Sequence, residues 1–139
     1  MLKMEPNCTL IFVIDKNDNI LLLNRENEPA KGTWCGVGGN IEKDETIYDC
    51  AKRELHEETG IKTNKLKLLG KYDKIESYIF VLIVNDLKEI YKKDLIKTKE
   101  GILSIKKLRW TLENNEGIVE ETRNALNFVI NKLGGNKDE

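Results

Sequence analysis

The chain predicts an α/β fold, a mixed β-sheet with helices packed against it, and three observations carry that class. Two β-rich runs, residues 9–14 and 20–23, flank a polar turn containing Asp18-Asn19. A helical stripe begins at Ile47 and Ala51 in the first half, and a second, Ile118, Thr122, Ala125, Val129 and Leu133, lies near the end. Residues 66–71 and 77–84 supply β-type runs between them, so the order is β-β-α-β-β-α.

Each element has a local reason. Residues 15–19 read as the turn of a hairpin. Residues 24–33 contain Pro29 and Gly32 and read as an exposed loop. Residues 34–39 form a short strand or turn that leads into residues 40–45. The first helix is expected over residues 46–59. Thr46 followed by Asp49 resembles a capping box, and Gly60 suits the position just past a helix end. The run 77–84 is almost continuously apolar and reads as a central strand. Residues 86–99 carry five lysines, which serve either as a solvated face or as a positive rim over a phosphate site. Residues 101–110 are expected to return to the sheet, and a polar tail follows the last helix.

At 139 residues the chain is expected to form one domain spanning 1–139. Twenty-three basic against 24 acidic residues leave a net charge of −1. That balance offers no global attraction to nucleic acid or membrane, so a small anionic substrate is the expected partner and no stable nucleic-acid or membrane partner is expected. Cys8, Cys35 and Cys50 form no close pair and no C-x-x-C, which excludes a zinc knuckle or disulfide framework. Cys8 and Cys50 read as small core residues, while Cys35 lies in a turn that can line a pocket. With no long apolar run and no signal peptide, cytoplasmic residence is the expectation.

The residues that point to chemistry are Glu54, Glu57 and Glu58. At about 100° per residue, Glu57 lies about 60° to one side of Glu54 and Glu58 about 40° to the other. Like charges at these spacings repel on a helix. A hard divalent cation such as Mg²⁺ turns that repulsion into a binding site, leaving water and phosphate oxygens to complete its shell. Most such clusters are solvated helix ends. Here Ile47, Ala51, Glu54 and Glu58 follow a stripe that normally faces the core, apolar at its start and acidic in its last two turns. Gly38-Gly39, just upstream, permits a close backbone or ligand approach that a side chain would obstruct.

The same residues fit a longer pattern. Gly39, Glu45, Arg53, Glu54, Leu55, Glu57, Glu58, Gly60 and Ile61 fill, without a mismatch, the signature of the Nudix hydrolases, which the chain resembles over these 23 residues. The resemblance implies a Nudix-type α/β/α sandwich with two main helices. It also implies cleavage of a nucleoside diphosphate linked to another group, with Mg²⁺ or Mn²⁺ as cofactor. By position it makes Glu54, Glu57 and Glu58 metal ligands, with the carbonyl of Gly38 as a further one. It makes Glu45 and Arg53 the pair that braces the loop against the helix. His56, the sole histidine, fills a free position on the opposite helix face and is expected to be a bystander.

For a nucleoside triphosphate the resemblance implies attack of water on the β-phosphorus, giving a nucleoside monophosphate and pyrophosphate. Glu57 and Glu100 are the alternatives for the group that collects the proton. The stretch KGTWCGVGG, residues 31–39, resembles the branch that hydrolyses oxidised purine triphosphates such as 8-oxo-dGTP. Trp34, Cys35, Glu120 and Glu121 are therefore expected near the base. Cys35 replaces the amide that reads the base in some relatives, and a thiol is a weaker donor and acceptor. ADP-ribose, dinucleotide polyphosphates and capped RNA are alternative substrates. A nucleotide-binding regulator without turnover is the alternative of a different class.

Overall fold

The computed structural model describes residues 7–28, 31–72, 76–92, 95–114 and 117–134. Pro29 of the expected loop, Lys93 of the lysine-rich segment and the polar tail from residue 135 lie outside the described residues. The chain opens with β1 (Cys8–Asp15) and β2 (Asn19–Arg25), followed by the short strands β3 (Trp34–Cys35) and β4 (Val37–Asn40). Next come α1 (Ile47–Thr59), β5 (Lys67–Tyr72) and β6 (Ser77–Val84). Then follow α2 (Leu87–Ile90), β7 (Leu95–Lys97), β8 (Gly101–Lys107), α3 (Leu108–Glu113) and α4 (Glu120–Gly134).

The strands form one sheet in the order β5-β6-β1-β2-β8-β7, with β3 beside β2 and β4 beside β1. β1 and β6 run parallel, while the other strand pairs are antiparallel, so the sheet is mixed. Successive side chains on a strand face opposite sides. Ile11 and Val13 of β1, Leu21 and Leu23 of β2, and Phe80 and Leu82 of β6 join one core with Ala51 and Leu55 of α1. Phe12, Ile14, Ile20, Leu22, Ile79 and Val81 join a second core with Ala125, Leu126 and Val129 of α4. Covering both faces buries most positions of these strands, Ile83 of β6 being an exposed exception, and this explains their almost unbroken apolar runs. The result is the α/β/α sandwich.

Several boundaries differ from the sequence expectation. Residues 34–39 hold two strands separated by Gly36, because they pair with different partners, Leu23 and Asn24 on one side and residues 8–11 on the other. The lysine-rich segment contains α2 and β7, whose edge strand pairs only with β8. The strand expected over 101–110 ends at Lys107, and Trp110 belongs to α3. Cys50 is buried, but Cys8, at the start of its strand, is only partly so, with Sγ 2.9 Å from Ser77 Oγ.

Two polar devices fix the elements near the site. Thr46 caps α1 by accepting the Asp49 N–H at 3.0 Å, and Gly60 ends the helix at φ 80°, a conformation that favours glycine. Asp15 accepts the N–H groups of Asn17 and Asn19 in the hairpin turn and that of Leu87 at the start of α2, each at 2.9 Å. Burial pushes its carboxyl up, but these bonds outweigh it and hold the pKa below the ordinary value. No helix among the described residues is long and apolar enough to cross a membrane.

Candidate active site at the acidic end of helix α1

The glycine pair positions two of the three helix carboxylates. Gly38 has φ 149°, and a Cβ there would stand 2.8 Å from Thr9 C and 3.0 Å from Leu10 Cα of the neighbouring strand. Only glycine lets β4 run this close to β1 in that conformation. A Cβ at Gly39 would instead meet the Glu54 carboxylate, 2.5 Å from Cδ and 3.0 Å from Oε1. Glu58 lies against the other glycine, accepting the Gly38 N–H at 3.3 Å. The bare backbone of β4 thus forms a floor on which both carboxylates rest.

Arg53 orders the entrance loop. Its guanidinium makes a two-bond fork on Glu45, Nε to Oε2 at 2.7 Å and Nη2 to Oε1 at 3.0 Å, and donates to the Asn40 carbonyl at 3.1 Å. The fork holds the Glu45 carboxyl down at about 2 and raises the pKa of Arg53. Glu45 in turn accepts the Glu42 N–H at 3.0 Å, so the loop before α1 is tied to the helix. Arg53 Nη1 also reaches Glu54 at 3.2 Å and Glu57, one helical turn on, at 3.3 Å.

A cleft of about 450 Å³ is lined by Glu54, His56, Glu57, Glu58, Thr98, Lys99 and Glu100. The turn between β7 and β8 therefore delivers Glu100 to the wall opposite α1. Glu58 is buried, and burial pushes its carboxyl up to about 8; Glu54 and Glu100 add to the rise while the Gly38 N–H works against it. His56, expected to face away, is exposed and stands on the rim, shared between this cleft and a hollow lined by Lys52, Arg53, Lys62, Thr63 and Asn64. By helix arithmetic His56 lies opposite Glu54 and Glu58 but only about 100° from Glu57, through whose side it borders the cleft. Lys99 and Thr98 were not singled out individually, although the lysine-rich run contained the signal.

The four residues expected near a base are not among those lining this cleft, although Cys35 lies near enough to Glu58 for the two to interact. Trp34 and Cys35 are adjacent on β3 and pack against opposite cores, Trp34 on the α4 side and Cys35 on the α1 side. The Lys106 ammonium sits 4.6 Å from the Trp34 ring centroid and 5.0 Å from that of Trp110. Burial pushes the Cys35 thiol up to about 11. Glu120 and Glu121 are exposed in the first turn of α4, where acidic side chains favour the helix dipole. None of the four lines the cleft.

The donor set fits a hard divalent cation in kind: carboxylates crowded in one cleft, one of them buried with its charged form disfavoured by its neighbours. Among the described residues, no three such side chains already converge tightly enough to enclose an ion. Arg53 reaches between Glu54 and Glu57.

Residues 4–117 match the model of the NUDIX domain family. The chain belongs to that family. It is 38% identical over 71 residues to an ADP-ribose pyrophosphatase of Methanocaldococcus jannaschii, covering 51% of this chain and 42% of that protein. It is 34% identical over 85 residues to diphosphoinositol polyphosphate phosphohydrolase 3-alpha of Mus musculus, covering 58% and 51%. The matched stretch thus spans about half the length of these relatives. The crystal structure of a mutT/nudix family protein from Listeria innocua superposes with a TM-score of 0.75 at 19% identity, over 96% of this chain and 97% of that one, a likeness of fold.

Proposed function

We propose that the chain, acting as one domain, is a metal-dependent hydrolase that cuts the phosphoanhydride bond of a diphosphate-linked compound. The observation that carries this reading is the acidic cleft itself. Glu54 and Glu58 rest on Gly38-Gly39, Glu57 stands beside them, and Glu100 faces them from the β7–β8 turn. Glu54, Glu57 and Glu58, with the carbonyl of Gly38, would hold Mg²⁺ or Mn²⁺, the kind of ion that Nudix hydrolases generally use. Such an ion supplies neutralisation of phosphoryl oxygens and a lowered pKa of the attacking water.

The chain's own residues do the rest. The Glu45–Arg53 fork keeps residues 40–45 and α1 in register, so the carboxylates keep their positions as charge develops. Water attacks phosphorus, the bridging P–O bond breaks, and the proton passes to a carboxylate of the cleft, with Glu57 as ligand and Glu100 as base or further ligand.

The matched relatives support diphosphate-linked compounds as a class, ADP-ribose among them. Hydrolysis of a nucleoside triphosphate, with 8-oxo-dGTP as a special case, is the narrower reading, supported by the run Trp34-Cys35-Gly36-Val37. It draws no help from the cleft lining, which contains neither Trp34 nor Cys35. The test is a panel of ADP-ribose, nucleoside triphosphates, a dinucleotide polyphosphate and a diphosphoinositol polyphosphate with Mg²⁺ or Mn²⁺, read by chromatography of the products. Metal-dependent turnover of at least one is expected. Turnover of none refutes the reading and favours a binding protein without catalysis.

A further inference from the structure

The acidic cleft is longer than a scissile diphosphate requires. A hollow of about 530 Å³ continues it past the end of α1, sharing His56, Glu57, Glu58, Thr98 and Lys99 and adding Thr59, Gly60, Lys97 and the apolar Ile96 and Leu103. The residues added beyond the shared ones include no carboxylate, and Lys97 joins Lys99 there. Both lysines are exposed, and neither makes an ion pair with another described residue.

A helix C-terminus ordinarily repels anions through its unbonded carbonyls. Here two of the last four carbonyls, those of His56 and Thr59, are engaged, and that of Leu55 takes a side-chain bond as well. Leu55 O accepts the Thr59 hydroxyl at 2.6 Å, His56 O accepts the Gly60 N–H at 2.9 Å, and Thr59 O accepts the Tyr91 hydroxyl at 2.6 Å. The turn that carries the lysines is held as firmly. Thr98 N donates to Gly101 O at 2.7 Å, while Thr98 Oγ1 donates to the same carbonyl and accepts the N–H groups of Glu100 and Gly101. A Cβ on Gly101 would meet the Asn24 carbonyl carbon at 2.9 Å, so β8 enters the sheet flush against β2. Lys97 and Lys99 therefore stand on a preformed hairpin over an end of α1 where the His56 and Thr59 carbonyls are hydrogen-bonded, in a hollow they share with Glu57 and Glu58.

We propose that this extension is a phosphate subsite in which Lys97 and Lys99 receive an anionic group of the substrate beyond the diphosphate that is cut. The proposal rests on the reading of the cleft as the place of phosphoanhydride cleavage, and it narrows the substrate class. Compounds with a further phosphate, such as a nucleoside triphosphate or another oligophosphate, gain contacts that ADP-ribose, with two phosphates, lacks. Lysine suits the task as a flexible point charge that needs no fixed fork geometry.

The test compares kcat/KM for a purine nucleoside triphosphate and for ADP-ribose, with Mg²⁺ in excess, in the whole chain and in its Lys97→Gln/Lys99→Gln variant. Glutamine keeps much of the stem and removes the charge, and both side chains are exposed, so folding is undisturbed. The ratio of triphosphate to ADP-ribose is expected to fall at least fivefold in the variant, through a raised KM. A smaller fall overturns the proposal. Calorimetric binding of inorganic tripolyphosphate under the same conditions separates this inference from the one beneath it. If neither compound is turned over, the hydrolase reading is decided by the wider substrate panel and the subsite by binding alone. In that case, tripolyphosphate binding at least fivefold weaker in the variant upholds the subsite, and a smaller difference overturns it.

Discussion

Gly39→Ala separates the position of Glu54 from the stability of the sheet. Gly39 does not occupy the left-handed region that disfavours alanine, and what an added methyl meets is the far end of a flexible side chain. The Glu54 Cδ would lie 2.5 Å from the new carbon. Ordinary carbon–carbon contact is about 3.5 Å, so the carboxylate must retreat by about 1 Å. Metal ligands tolerate about 0.2 Å, and a misplacement of about 1 Å in a reacting site costs on the order of 100-fold. Stability, by contrast, is expected to change by no more than about 1 kcal/mol, since the substitution also restricts the unfolded chain. Gly38→Ala reverses the pattern. Its methyl would press on Thr9 C and Leu10 Cα, backbone atoms that cannot rotate away, at a φ of 149°. Backbone strain there costs about 1–3 kcal/mol before any displacement of β4 from β1 is added. Thermal unfolding and kcat/KM at saturating Mg²⁺, measured on both variants and the parent, give the comparison. A Gly39→Ala protein with activity within fivefold of the parent would refute the idea that the glycine exists to seat Glu54.

Other outcomes follow from the same geometry. Glu57→Gln and Glu58→Gln each keep side-chain size and remove a charge, and each is expected to lower turnover at least ~100-fold with the fold intact by circular dichroism. Glu45 is held at about 2 against an ordinary 4.5, so its contribution to stability is full above about pH 4.5 and is lost as pH falls toward 2. Glu45→Gln is therefore expected to flatten the acid limb of a pH–stability curve recorded by urea unfolding, and an unchanged limb would count against the fork. Cys35, pushed up to about 11 by burial, is expected to react with iodoacetamide far more slowly at pH 8 than a free thiol, as followed by mass spectrometry of the modified peptide. Cys35→Asn is expected to leave the ratio of 8-oxo-dGTP to dGTP hydrolysis unchanged, because the residue lies outside the cleft lining; a rise in that ratio would place it beside the base.

The sandwich and the acidic end of α1 were legible for a common reason: both are written at short range. The apolar runs of β1 and β2 and the stripe from Ile47 to Glu58 are local patterns. Capping of α1 by Thr46 and Gly60 is equally local. The elements that were misplaced depend on partners far along the chain. Whether residues 34–39 form one strand or two is decided by β1 and β2, and whether residues 95–97 form a strand is decided by β8. Lys99 and Glu100 reach the cleft only because that hairpin folds over α1, a placement that no spacing within residues 86–99 encodes. The contact of Arg53 with the Asn40 carbonyl likewise needs the loop and helix in three dimensions, whereas those with Glu54 and Glu57 are local to α1.

Sheet geometry also decides where substrate selectivity can reside. Adjacent residues on a strand face opposite sides, so Trp34 and Cys35 cannot both look into one cleft on the α1 face. Trp34 is committed to the α4 side, where Lys106 lies against it and Ile118 pairs with it through the backbone. The residues free to meet a ligand beside the carboxylates come instead from the rim: Thr98, Lys99 and Glu100 on the hairpin, and His56 on the helix. These are charged or polar groups, suited to phosphates more than to the planar face of a base. On the proposed reading, a cleft of this composition would select first by the number and placement of phosphates, which is why the comparison of a triphosphate with ADP-ribose reaches further into its specificity than a comparison between two bases.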